Sequence, residues 1–388
     1  MPPTVFIADT IYAPERIDNA AVVIEDGVIT AAGPREQVTV PANAREVRLE
    51  GGFLTPGFID THNHGAGGRD VMEATRDSLD VVCQALARHG TTSYYPTTIT
   101  AAAVDIRRQV EFLAEYIEQR EHSNALGAQP LGIHMEGPYL SEKRRGVHPP
   151  EYLVEPTLEA YRQFAEAARG RLSIMTIAPE LANASEVIEE MVRTGVRPSM
   201  GHTDASFDIA DRAVHLGVRQ ATHMFNAMRP FGHRDPGIIG KVLDDPAIAA
   251  ELIADGIHVD PQTIRVLYRC KGRDGIVLIS DGISATGMPD GNYRVGILNV
   301  EVKDGACRFE GHLAGSVLTL DQAIRNMHQL VGIPLEEAIQ MATLNTARLM
   351  GLEGRKGAIR KGADADLVIW GGDLQIKQVY TRGLAVPI

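Results

Sequence analysis

An alternation running through the middle of the chain most constrains what it can fold into. Apolar, strand-like runs recur at "GFIDTHNH", "TTSYYPTT", "LGIHMEG", "LSIMTIAPE", "VRPSMGH", "QATHMFN", "AIAAELIADG" and "GIVLISDG". Helical patterns separate most of them, as in "AAVDIRRQVEFLAEYIEQR", where Val110, Leu113 and Ile117 share one face. Strands joined by amphipathic helices pair in parallel, and a set of this number and order predicts a closed (β/α)8 barrel of the TIM type. A length of 388 residues leaves room for that barrel and a smaller companion. Both ends supply one. "TVFIADTIY" and "AAVVIEDGVITAAG" read as short strands, the second folded back at Asp26-Gly27, and "ADADLVIWGG" with "IKQVYTRG" resumes the style near the C-terminus. The expected organisation is α/β, with residues 56–352 as the barrel and residues 1–55 plus 353–388 as a small β-sandwich domain formed from both chain termini.

Composition narrows the setting. The chain is 44% hydrophobic and 23% charged, ordinary for a globular protein, and no apolar run nears the roughly 18 residues of a membrane span. "MPPTVFIADTIY" lacks a basic segment followed by a longer apolar core, and Cys83, Cys270 and Cys307 show no paired spacing. A cytoplasmic protein without a disulfide framework or membrane partner is expected. A formal net charge of −12 opposes nucleic-acid binding, so any anionic ligand must find a local basic site.

Barrel active sites sit where strands end at the C-terminal face, so polar residues closing the apolar runs matter most. His62 and His64, two apart on one strand, point to the same side and can chelate one cation. Taken alone, the pair is better described as two satisfied polar strand residues. Its company is more telling: Glu136 closes "IHME", His202 follows "SMG", His223 lies in "ATHMFN" and Asp281 follows "LIS". Four imidazoles and two carboxylates at one mouth suit a divalent ion such as Zn²⁺ or Fe²⁺. An isolated Asp281-Gly282 would also make a simple turn.

The stretches "PGFIDTHNHG", "HMEGPYL", "GHTDA", "THMFNAM", "HRDPG", "IADGIHVD", "SDGISATG" and "LAGS" follow one another between positions 56 and 316, and "ATLNTARLMGL" with "KGAIRKGADADLVIW" follows them. In these motifs the chain resembles the amidohydrolase superfamily and, within it, the N-acetylglucosamine-6-phosphate deacetylases. The resemblance implies metal-dependent hydrolysis of the acetamide of an amino-sugar phosphate. It implies that Glu136, His202 and His223 form the principal metal site, and that His62 and His64 hold a second ion bridged by Glu136. One or two divalent ions per subunit are thus expected, Zn or Fe, with Asp281 as general acid and base. It further implies that Asn226, Ala227 and His258 contact the sugar phosphate and that His148 reaches the sugar and carbonyl. Arg234 would come from the neighbouring subunit of a homodimer.

The residues themselves leave other readings open. Arg234 suits a loop salt bridge with Asp235, and Lys143, Arg144 and Arg145 suit a solvated basic run. His134 shares a face with Glu136 and is expected behind the ligands or as barrel filling. His89, His122, His215, His233, His312 and His328 suggest ordinary surface or packing use. The competing functions are an N-acetylgalactosamine-6-phosphate deacetylase, another N-acyl amidohydrolase, or a non-catalytic relative. Cyclic-amide hydrolases of the superfamily often bridge their metals with a carboxylated lysine at a strand end, and "LGIHMEG" and "LSIMTIAPE" contain no lysine. A non-catalytic relative would be expected to have lost ligands that this chain keeps.

Overall fold

The computed structural model describes residues 2–123 and 125–388. The chain begins with four strands, Thr4–Tyr12, Arg16–Glu25, Val28–Pro34 and Arg45–Pro56. Asp26 and Gly27 turn between the second and third with φ of 49° and 81°. That left-handed pair matches the twist of the flanking strands, which is why Asp-Gly marks a hairpin. From the far end of the chain, Leu367–Gly371, Ile376–Thr381 and Leu384–Val386 join the same sheet, with Leu367 opposite Pro56. The small β domain expected from both termini is therefore present, its seven strands linked in one continuous ladder.

All eight expected barrel strands form. They are Phe58–Asn63, Thr91–Thr98, Ile133–Glu136, Leu172–Ile177, Arg197–Met200, Gln220–Ala221, Ala249–Ile253 and Ile276–Ile279. Each pairs in parallel with its sequence neighbour. The ring closes beyond the last strand, where Asn63 bridges Gly282 and Asp281 N donates to His62 O at 2.9 Å. The helix foreseen in the long amphipathic stretch spans Ala103–Glu121 and buries Val110, Leu113 and Ile117 completely. Trp370 fastens the β domain to the barrel. Its ring lies 5.7 Å from that of Phe53 and 5.8 Å from that of Phe58 at the start of the first barrel strand, and its Nε1 donates to Thr55 Oγ1.

After the eighth barrel strand the chain makes an antiparallel four-stranded sheet, Gly291–Val295, Leu298–Lys303, Ala306–Phe309 and His312–Leu313. Its inward residues Val295, Val300, Val302 and Cys307 pack with Ile99 and Ile283 at the barrel mouth. Asp70 Oδ2 accepts from Gly296 N at 2.8 Å and ties the sheet to the loop after the first strand. Among the described residues, no helix is long and apolar enough to cross a membrane.

Candidate metal centre and its cleft

The six strand-end residues meet. Glu136 lies at the centre, its Oε1 at 3.0 Å from His223 Nε2, 3.2 Å from His202 Nε2 and 3.5 Å from His62 Nε2. Its Oε2 is 3.3 Å from His64 Nε2. Asp281 Oδ1 stands 3.4 Å from His62 Nε2 and 3.3 Å from His64 Nε2. Backbone turning produces the convergence. His202, His223 and Asp281 have φ of 47°, 29° and 48°, which swing each side chain out of strand direction and over the barrel mouth. Side chains with a Cβ seldom adopt such angles, and where they do the surrounding structure must hold them.

The donor set fits a divalent cation. His202 Nδ1 is 2.9 Å from the carbonyl oxygen of Arg144, which can only accept, so Nδ1 carries the proton and Nε2 presents a lone pair. Two pairs of Nε2 atoms approach closely: His62 with His64 at 3.1 Å, and His202 with His223 at 3.0 Å. At such distances one ring can donate an N–H to the other, or both lone pairs can share a cation, and only the second arrangement also places positive charge against the Glu136 and Asp281 carboxylates. The charges agree. Burial works against protonation of His62 and His64, yet Glu136 and Asp281 overcome it and raise both. Burial also pushes Glu136 and Asp281 upward, and the imidazoles more than reverse this, holding Glu136 well below the usual carboxylate range. The cluster thus favours added positive charge.

His148 differs. Its Nε2 lies 3.5 Å from Glu136 Oε2, close enough to count geometrically as a ligand. However, His148 Nδ1 faces Thr100 from two sides, 2.8 Å from its Oγ1 and accepting from its backbone N–H at 3.4 Å, so with the hydroxyl also donating, Nδ1 is the acceptor and Nε2 carries the N–H. His148 therefore presents an N–H to the centre. His134 sits fully buried beneath, between Thr61 O and Thr176 Oγ1 at 2.9 Å each, and burial holds it neutral.

A cleft of about 660 Å³ opens over the cluster. Asn226, Ala227, His148 and His258 all line it, as the sequence suggested. His258 Nδ1 is held at 2.6 Å by Asp255 Oδ2, whose other oxygen accepts from the backbone N–H groups of Ile257 and His258. Arg234 is not brought in. It stands exposed on a loop outside the cleft of its own chain. Nor does it pair with Asp235, because Arg229 takes that carboxylate. The basic run at 143–145 also departs from a merely solvated one. Lys143, Arg144 and Arg145 line the cleft, Arg144 pairs with Asp204, and Arg145 Nη1 donates to His148 O. His312, given no role from sequence, reaches the cleft from the four-stranded sheet. A second cleft of about 680 Å³, lined by Asp70, Arg108 and Arg294 among others, includes no histidine and lies apart from this chemistry.

Two acidic residues escaped the reading of the sequence. Asp255, which orients His258, was hidden inside "IADGIHVD". Glu251, in the seventh strand, is wholly buried with Oε2 at 3.6 Å from His62 Nδ1. A carboxylate inside the apolar run "AIAAELIADG" was the available signal.

Residues 53–386 match the amidohydrolase family. The chain belongs to that family. Among curated amidohydrolase relatives, the N-acetylglucosamine-6-phosphate deacetylase of Lysinibacillus sphaericus is 40% identical over 87% of this chain and 86% of its own length. The N-acetylgalactosamine-6-phosphate deacetylase of Escherichia coli O157:H7 is 36% identical over 95% of this chain and 94% of its own. Among solved structures, a mutant N-acetyl-D-glucosamine-6-phosphate deacetylase from Mycobacterium smegmatis, in complex with N-acetyl-D-glucosamine-6-phosphate, superimposes with a TM-score of 0.93. It is 32% identical, and the match covers 100% of both chains.

Proposed function

We propose that this amidohydrolase removes the acetyl group from N-acetyl-D-glucosamine 6-phosphate, giving D-glucosamine 6-phosphate and acetate. One observation carries the reading: Glu136 lies within 3.5 Å of the Nε2 atoms of His62, His64, His202 and His223, with Asp281 beside the first pair at the floor of a cleft. Relatives of that activity along nearly the whole chain support it. Glu136, His202 and His223 would hold one divalent ion, and His62, His64 and Glu136 a second, as zinc or ferrous iron. Such an ion supplies polarisation of the acetamide carbonyl and acidifies a water molecule to near neutrality.

The remaining work belongs to the chain's own groups. Asp281 takes the proton of the attacking water and returns it to the departing amine nitrogen, since an amine leaves well only when protonated. His148 offers its Nε2–H to the carbonyl oxygen, where negative charge grows during attack. Asn226, the backbone at Ala227 and the Asp255-oriented His258 hold the sugar phosphate, and Arg234 of a second copy completes that hold in a homodimer. Residues 56–352 form the catalytic unit, and residues 1–55 with 353–388 its β domain.

Acetate release should be measured from the 6-phosphates of N-acetylglucosamine and N-acetylgalactosamine, and from unphosphorylated N-acetylglucosamine. Fast turnover of the first alone is expected. The Escherichia coli relative favours a second reading, in which the galactosamine epimer turns over faster. Equal turnover with and without phosphate would remove the roles given to Asn226, His258 and Arg234.

A further inference from the structure

We infer that Glu251 fixes the tautomer of His62 and through it the affinity of the ion site on the first barrel strand. The inference rests on the metal reading above and concerns a residue that reading does not use. Glu251 Oε1 accepts from Thr61 Oγ1 at 2.7 Å and from Gln220 Nε2 at 2.6 Å. Its Oε2 has no hydrogen-bond partner among the described residues, and neither does His62 Nδ1, which faces it at 3.6 Å. Both groups are fully buried, where an unpaired polar atom is costly, so each atom is the other's natural partner.

An ionised carboxylate only accepts, so the ring atom turned toward it must be an N–H. With the proton on Nδ1, His62 Nε2 keeps its lone pair, and Nε2 is the atom beside His64 Nε2, Glu136 Oε1 and Asp281 Oδ1. Glu251 thus does for His62 what the Arg144 carbonyl does for His202. The Nδ1 atoms of His64 and His223 have no such partner among the described residues, so control of this kind falls on one ligand of each proposed ion site. The competing view makes Glu251 a structural tie between the first, sixth and seventh strands through Thr61 and Gln220.

Two variants separate these views. Glu251→Met roughly keeps the volume and removes both carboxylate oxygens, leaving only a weakly accepting thioether. Glu251→Gln keeps the size and can still serve Thr61 and Gln220 through its amide oxygen, which turns the amide NH2 toward His62 Nδ1 and favours the tautomer with Nε2 protonated. Zinc and cobalt(II) uptake by metal-stripped full-length protein would be titrated against a chelator of known affinity, with thermal melts of the stripped proteins alongside. In both variants, one equivalent should weaken by about 10- to 100-fold, the range typical for a lost outer partner of a ligating histidine. The other equivalent should stay within about threefold of wild type, and the stripped Gln variant should melt like the wild type. A variant whose uptake matches wild type at every equivalent overturns the inference, as does parallel loss of both equivalents with a lowered melt. If the wild-type chain itself takes up neither cation, the functional reading falls instead.

Discussion

Asp281→Asn tests the proposed proton transfer with little disturbance elsewhere. The backbone at this position is held on both sides, with Asp281 N donating to His62 O at 2.9 Å and Asp281 O accepting from Ser316 N at 2.8 Å. Neither bond involves the side chain. The φ of 48° makes asparagine the right replacement, because Asn tolerates left-handed backbone about as well as Asp. Alanine there would add about 1–2 kcal/mol of conformational cost and confuse folding with catalysis. Glu136, His202 and His223 meet without Asp281, so metal at that site should persist. What disappears is the only group assigned to move the proton. General acid–base catalysis contributes about 10²- to 10⁴-fold, which at about 1.4 kcal/mol per decade corresponds to roughly 3–5 kcal/mol of barrier. The expected result is kcat near a thousandth of wild type, with metal content and melting temperature unchanged. Steady-state acetate release, elemental analysis and a thermal melt measure the three. A kcat above a tenth of wild type would remove Asp281 from proton transfer, and metal lost together with activity would recast it as a ligand.

Four further outcomes are expected. Asp255→Asn keeps an acceptor for the Ile257 and His258 amides but turns a donor on His258 Nδ1, so KM for the phosphorylated sugar should rise about tenfold, the scale of one hydrogen bond to a charged group, with kcat within twofold. Stripping the metal with dipicolinate should abolish turnover and lower the melting temperature, and added zinc should restore both; full-speed cleavage by stripped protein refutes the mechanism. Leu113→Ala, at a fully buried position on the Ala103–Glu121 helix, should cost about 2–5 kcal/mol in urea unfolding while leaving specific activity unchanged. Burial holds the Lys271 ammonium down to about 8, below its ordinary 10.5. The unfolded chain therefore binds more protons between those values, and stability should rise with pH across that window from this group; in Lys271→Met that part of the pH profile should be flat.

The parts of the fold legible in the sequence were those fixed by local pattern. "GIVLIS" is an apolar run of strand length closed by Asp-Gly, and Asp26-Gly27 favours a tight turn, so the barrel strands and the first hairpin fall where local pattern puts them. The four-stranded sheet at 291–313 was not legible, because its strands are short and half exposed and sit inside a stretch rich in Gly and Asn. The ligands were legible because each ends an apolar run. Their partners were not: Glu251 meets Thr61 across 190 residues, and Thr100 meets His148 across 48. Such pairings exist only after the barrel has closed. Glu251 reads as an oddity in its own strand and acquires a purpose only from the facing edge of His62.

The same closure explains why the site can keep three residues at angles that side chains avoid. Asp281 is pinned to the first strand through His62 O, and Ser316 N pins it from the other side. His202 is held through its ring by Arg144 O, and Ser141 N takes its carbonyl. His223 O accepts from Asn226 N, while the next residue, Met224, donates its N–H to Glu251 O in the seventh strand. Asp281 and His202 sit between hydrogen bonds to segments distant in sequence, and His223 combines a local turn with the bond from Met224 to the seventh strand; these ties offset a local cost of about 1–3 kcal/mol. The orientation of the ligands therefore belongs to the closed ring, with no single loop responsible for it. Damage to ring closure at the Asn63–Gly282 bridge, which joins the strand of His62 and His64 to the residue after Asp281, should disturb the centre before it unfolds the barrel.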